Sequence, residues 1–370
     1  ENIKLLEIPE LFEKIKDMAL YAKDPEPYRM SMYDPKKGNH TDNATTHELI
    51  NCSLNSQRSI AYRGIAKYFW EHKDYAMQNK HFIDSAIQDS HPAVQIVAVE
   101  MLSPFLNYDL DFALEKYLEL CSYDDRFTIA HNSHYFFNNA FESTLCDKYV
   151  ELVKRMSISP IDEVCKMAGM QIFARWYYND LFQDTIDNAL SADDKIRKGI
   201  ADVVSQILIR DSGSIKNEKL LKVFGILIND SSKSVRDRLN HTFFNESFWK
   251  KEISNELFGL YLNSNYVGEN IYYFFHAIEN FPDALTDFHE SILLFIEKIT
   301  MRNLTIEDKQ ELHAYSSHLI AFLQHIYDKA MDDENYDILE RCMDVWDSLL
   351  KSEIPAIQGA NQKFDSGLLN

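Results

Sequence analysis

Glycine and proline are scarce in this chain, 10 and 9 in 370 residues. An all-β protein turns about every 8–12 residues and uses both residue types to do so, so the scarcity excludes that class. The five cysteines (Cys52, Cys121, Cys146, Cys165 and Cys342) are scattered and form no CxxC. An odd, unclustered set is no disulfide framework, and buried, reduced thiols are expected. No run of about 18 apolar residues and no signal-peptide core occurs, so neither a membrane span nor a leader is expected and the chain reads as soluble and cytoplasmic. An initiator Met is also missing, since the sequence starts at Glu1; an excised domain and a chain whose first residues are left out are the two readings expected.

Bases are the next deficit. The 38 Lys and Arg face 58 Asp and Glu, a formal net charge of −20. Nonspecific DNA binding neutralises on the order of 6–10 phosphates with Lys and Arg, so this balance argues against nucleic acid as the partner and mainly favours solubility. Catalytic signatures are lacking too. There is no G-x-x-x-x-G-K-[ST], GxGxxG or GxSxG, and Lys233-Ser234 has no glycines just before it, so no nucleotide loop, nucleophile elbow or cofactor is expected. His131 and His134 have helical spacing, but no third histidine completes a zinc shell, and they read as polar neighbours of a Phe136/Phe137 core stripe. Asp193-Asp194 and Asp332-Asp333 read as caps at turns that precede helices.

What is present is helical periodicity. A 45% hydrophobic, 13% aromatic composition supplies a core, and long runs of Leu, Ile, Lys, Glu, Asp and Ala lack breakers. The stretch Asp89–Leu102, DSHPAVQIVAVEML, is the organising one: Ala93, Val94, Val97, Ala98, Met101 and Leu102 lie on one helical stripe, with Pro92 in a first turn. Its pattern returns along the chain. Taking Val94 as the mark, counterparts fall at Tyr62, Ile129, Val164, Ile196 and Val235, with successive spacings of 32, 35, 35, 32 and 39 residues. Four places on stand Ala66, Ala98, Ser133, Ala168, Ile200 and Leu239; eight places on stand Trp70, Leu102, Phe137, Ile172, Val204 and Phe243. A small residue lets a neighbouring helix approach and a large one fills the space between units, so each unit needs a neighbour. The preceding helices are expected at Met77–Ile87, Phe112–Leu120, Lys148–Met156, Asp180–Leu190 and Glu218–Ile228.

DSHPAVQIVAVEML and DDKIRKGIADVVSQIL resemble HEAT-type units, an Asp/Pro turn followed by Val-Arg-x-x-Ala. Arg63, Arg197 and Arg236 stand in the family's Arg place, whereas Gln95, Ala130 and Cys165 depart from it. The resemblance implies an all-α, HEAT/ARM-like α-α superhelix and, for that arginine, a salt bridge to a turn Asp. Residues 56–244 are also similar to the HEAT-like C-terminal regions of large bacterial STAND-type NTPases, which implies a recognition arm of a multidomain protein, in phage defence.

The expected layout is an N-terminal helix and long loop (1–54, the loop from Asp24 to Leu54), a repeat array (55–250), further helical repeats or a cap (251–352) and a tail (353–370). In the third region helices are expected at Ile253–Leu262, Ile271–Asn280, Leu285–Ile299, Ile306–Lys329 and Tyr336–Lys351, with a Thr305/Asp308 capping box. The function expected is a non-enzymatic scaffold or sensor arm of an intracellular assembly with a protein partner. A HEAT-like nucleic-acid enzyme such as the alkylpurine DNA glycosylases is the alternative from another class, and a standalone adaptor or regulatory subunit is the third reading. Candidate partner-binding residues are Tyr272 and Tyr273, from an aromatic run read first as core, and the charges Arg197, Lys198, Arg236 and Arg238.

Overall fold

A computed structural model describes residues 8–25, 45–210, 217–269, 271–300, 310 and 312–351. Among these residues the helices alternate with turns and there is no strand. None of the described helices is long and apolar enough to cross a membrane. The chain forms two compact units, Glu1–Ile172 and Phe173–Asn370.

The principal helices of the first unit are α1 (Pro9–Tyr21), α2 (Thr46–Asn55), α3 (Gln57–Glu71), α4 (His81–Ile87), α5 (Leu110–Cys121), α6 (Ser133–Ala140) and α7 (Cys146–Met156); α8 (Asp162–Asn179) contains the division. Helix α2 corrects the long-loop reading, which ran to Leu54. Thr45 Oγ1 accepts the Glu48 amide at 3.2 Å, and Glu48 Oε2 accepts the Thr45 amide at 2.6 Å. This reciprocal capping box starts a helix where Pro and Asn density nearby suggests none. Thr45→Ala is expected to lower stability by about 1 kcal/mol in urea unfolding, because the Glu48 amide loses its acceptor.

The stretch Asp89–Leu102 is helical but tightened in the middle. Helical turns Pro92–Gln95 and Ala98–Leu102 are joined at Ile96 and Val97. Pro92 occupies the first turn, and His91 Nδ1 accepts the Ala93 amide at 3.1 Å. Asp89 holds the turn by accepting from the His91 amide and, with both oxygens, from Arg58 at 2.9 and 3.0 Å. Ala66, Ala98 and Ala168 are buried, as small positions at helix contacts should be.

Two register positions differ from expectation. Trp70 is 50% exposed, and Phe69 takes its place in the core, edge-on to Phe105 at 5.8 Å. Adjacent helical residues point about 100° apart, so only one of this pair can face inward. Ile129 lies in a 3₁₀ turn, Asp125–Ile129, because the Asp124 carboxylate accepts both the amide and the guanidinium of buried Arg126. Helix α6 starts four residues later, after Asn132 at φ 73°. At the centre of this part of the core stands Tyr117, its ring parallel to Phe136 at 4.3 Å and to Tyr149 at 6.2 Å.

The second unit carries α9 (Asp194–Arg210), α10 (Asn217–Leu227), α11 (Lys233–Asn240), α12 (Ser254–Leu262), α13 (Ile271–Asn280), α14 (His289–Thr300), α15 (Ser316–Asp332) and α16 (Tyr336–Lys351). The helix expected at Asp180–Leu190 begins only at Ile186, since Asp180 and Phe182 both adopt φ 57° and turn the chain. Asp193 Oδ1 accepts the Lys195 amide at 3.0 Å and so caps α9. Asp332-Asp333, by contrast, ends α15, and the Asn335 side chain accepts from Ile338 at the start of α16. The expected helix Leu285–Ile299 opens as a 3₁₀ turn and becomes α-helical at His289. Thr305, Asp308, the segment 26–44 and the tail 353–370 lie outside the described residues.

Aromatic side chains fill this core. Phe274 meets Phe295 at 4.1 Å and Phe258 at 5.4 Å, and Trp249 stands edge-on to Phe258 and Phe288. The run Tyr272–Phe275 therefore divides by helical phase. Phe274 and Phe275 are core, while Tyr272 is 45% exposed and Tyr273 half-buried.

Candidate functional site

Helix α9 has two faces. Ile196, Ile200, Val204 and Leu208 recur every four residues and are buried. Rotated from them by two positions, Lys198, Asp202, Gln206 and Arg210 recur with the same step and line a cleft of about 520 Å³. Across it α11 contributes Ser234, Asp237 and Arg238, the following turn contributes His241, and α13 contributes Tyr273. Buried Thr242 donates its hydroxyl to Ser205 at 2.9 Å, which pins that turn to α9 and places His241 at the cleft.

Three of the six candidate residues thus converge: Lys198, Arg238 and Tyr273. Tyr272 stands beside them, its ring 5.6 Å from that of Tyr273. Arg197 and Arg236 do not face the cleft. Arg197 pairs with both oxygens of Asp230, 33 residues on, at 2.6 and 3.0 Å. Arg236 pairs with both oxygens of Glu269, also 33 residues on, at 2.8 Å, donates to the Asp230 carbonyl, and lies over the Tyr266 ring at 3.6 Å. In the first unit Arg63 meets Glu100 and the Ser53 carbonyl rather than a turn Asp, the turn residue Asp89 being held by Arg58. The helical rotation of about 100° per residue separates these roles: with Arg197 turned to Asp230, Lys198 faces the cleft.

The cleft holds more cations than acids. Lys198, Arg210 and Arg238 stand against Asp202 and Asp237, within a chain of net charge −20. Arg238 is half-exposed and reaches Asp202 at 3.4 Å. Among the described residues, Lys198 and Arg210 make no ion pair. Aromatic rings continue outward from the cleft: His241 is 5.6 Å from Tyr273, Phe244 stacks on His276 at 3.8 Å, and Tyr272 is 6.1 Å from Tyr315. Asp202, Gln206, Arg210 and His241 were not among the sequence candidates, although the four-residue polar step on α9 carries the signal for the first three.

Other candidate chemistry is weaker. His131 and His134 are exposed, and among the described residues no group of three His, Cys, Asp or Glu side chains is placed to hold a metal ion. A second cleft, about 330 Å³, brings together His289, His318 and His325, with His318 Nε2 at 3.5 Å from Glu279. Burial pushes the Cys121 thiol up to about 12 and the Cys342 thiol to about 11, so both stay protonated near neutral pH. In comparisons with known proteins, no family model, no curated protein and no solved structure matches the chain.

Proposed function

We propose that this chain is a non-enzymatic interaction scaffold, an α-solenoid of HEAT-type helix pairs that takes a protein partner on the face formed by α9, α11 and α13. The observation that carries the reading is the cleft itself. Lys198 and Arg210, which make no ion pair among the described residues, stand there with partly exposed tyrosines, while the neighbouring Arg197 and Arg236 are committed to ion pairs. Tyr and Arg, moreover, are residues that dominate binding energy at protein interfaces.

The repeat reading has support of its own. Arg58–Asp89, Arg197–Asp230 and Arg236–Glu269 tie residues 31, 33 and 33 positions apart, close to one helix-pair period. Such ties brace each turn against the next, as stacked units require. By its resemblance to STAND-type NTPase arms, the scaffold would serve as the recognition arm of a larger assembly. Photo-crosslinking tests this. Benzoyl-phenylalanine in place of Tyr272, in the chain's own cells, is expected to give a discrete protein adduct on irradiation; no adduct rejects the reading.

A further inference from the structure

We infer that the cleft between α9 and α11 receives an acidic, extended segment of the partner protein, with carboxylates against Lys198, Arg210 and Arg238 and an apolar side chain against Tyr273. This rests on the reading of the chain as a protein-binding scaffold.

Charge chooses the sign of the ligand. Asp202 already faces Arg238 at 3.4 Å, so that acid is partly neutralised within the cleft. Lys198 and Arg210 have no such compensation among the described residues, and both line the same face. They are twelve residues apart on one helix, a separation of roughly 18 Å at 1.5 Å per residue. An extended chain covers that distance with about five or six residues. A short acidic segment can therefore reach both cations, whereas a single small anion cannot.

The acids in the cleft choose the class of ligand. A carboxylate has about four acceptor sites, so beyond the partners they already hold Asp202 and Asp237 can accept from peptide amides, and Gln206 and Ser234 can bond to peptide groups of either kind. A phosphodiester backbone carries acceptors and negative charge but no donors to offer those carboxylates. A polyphosphate carries a charge on every repeat and so sets an unbroken line of negative charge against Asp202 and Asp237, whereas a peptide can place neutral residues opposite those acids and carboxylates opposite the cations. On the cleft lining the ring of Tyr273, flanked by Tyr272 and His241, gives an apolar side chain a place to pack. The segment expected is Asp/Glu-rich and bears an aromatic or large aliphatic residue.

Fluorescence anisotropy on the full chain tests the inference, with a fluorescein-labelled peptide of about twelve residues made of Asp, Glu and Gly with one Phe. A Lys-for-acid version and a single-stranded DNA of similar length are the comparisons. The acidic peptide is expected to bind, and K198E/R210E to weaken it by at least about tenfold, with an unchanged far-ultraviolet circular dichroism spectrum. Tyr273→Ala is expected to weaken it several-fold without changing its salt dependence. The inference is overturned if the acidic peptide does not bind, if K198E/R210E leaves its affinity unchanged, or if the DNA binds more tightly and is lost in that variant. If the peptide fails while Tyr272 still crosslinks to a protein in cells, the acidic class falls and the scaffold reading stands; if both fail, both fall.

Discussion

Arg236→Met is expected to destabilise the second unit by about 3 kcal/mol, read as a loss on the order of 10 °C in its thermal midpoint. The guanidinium is 4% exposed and satisfies three groups at once: both oxygens of Glu269, the Asp230 carbonyl, and the face of Tyr266. Methionine fills much of the volume but supplies no donor, so Glu269 and a buried carbonyl lose their partners together. The neighbouring cation provides the contrast. Arg238, two residues on, is 50% exposed and reaches Asp202 at 3.4 Å, so Arg238→Met is expected to cost under about 1 kcal/mol. A comparable loss in both variants would mean that general charge, rather than this bonded arrangement, sets stability. The same contrast separates bracing from binding, since only Arg238 lines the cleft.

Tyr117→Ala is expected to cost about 3–5 kcal/mol in the first unit, because a fully buried ring leaves a cavity between Phe136 and Tyr149. Tyr117→Phe should instead fall within about 1 kcal/mol of the parent, on the stabilising side. The Tyr117 hydroxyl is buried without a hydrogen-bond partner, so deleting it removes an unmet polar group along with one atom of packing. Tyr149 differs, since its hydroxyl donates to the Leu114 carbonyl at 3.2 Å. Urea unfolding of the variants checks the pair. Equal losses for alanine and phenylalanine would show that the hydroxyl, not the ring, carries the contribution.

Helical periodicity is readable wherever one stripe decides the matter. Helices at Ile271–Asn280 and Tyr336–Lys351 have the bounds read from the sequence, and the small register positions Ala66, Ala98 and Ala168 are buried. Reading fails where a side chain outside the stripe takes control. Asp124 captures Arg126 and tightens a 3₁₀ turn at the expected mark Ile129. Thr45 and Glu48 start a helix inside a segment dominated by turn residues. At Phe69 and Trp70, two large rings compete for one inward direction, and spacing between units does not choose between them.

The cleft is legible only in part, for a related reason. Arg197 and Lys198 are adjacent and alike in charge, and which one reaches outward depends on Asp230, 33 residues away. The aromatic run at Tyr272–Phe275 is similarly divided by helical phase rather than by composition. Local pattern identifies the helices that carry the site; distant acids decide which of their cations are drawn into ion pairs.

Crosslinking from two exposed tyrosines of the second unit tests the central claim most directly. Tyr272 borders the cleft, whereas Tyr336, 75% exposed, opens α16 and does not line it. With benzoyl-phenylalanine at each position in turn, one protein adduct is expected from 272 and none from 336. Equal adducts from both positions, or none from either, would contradict a partner-docking face at α9, α11 and α13.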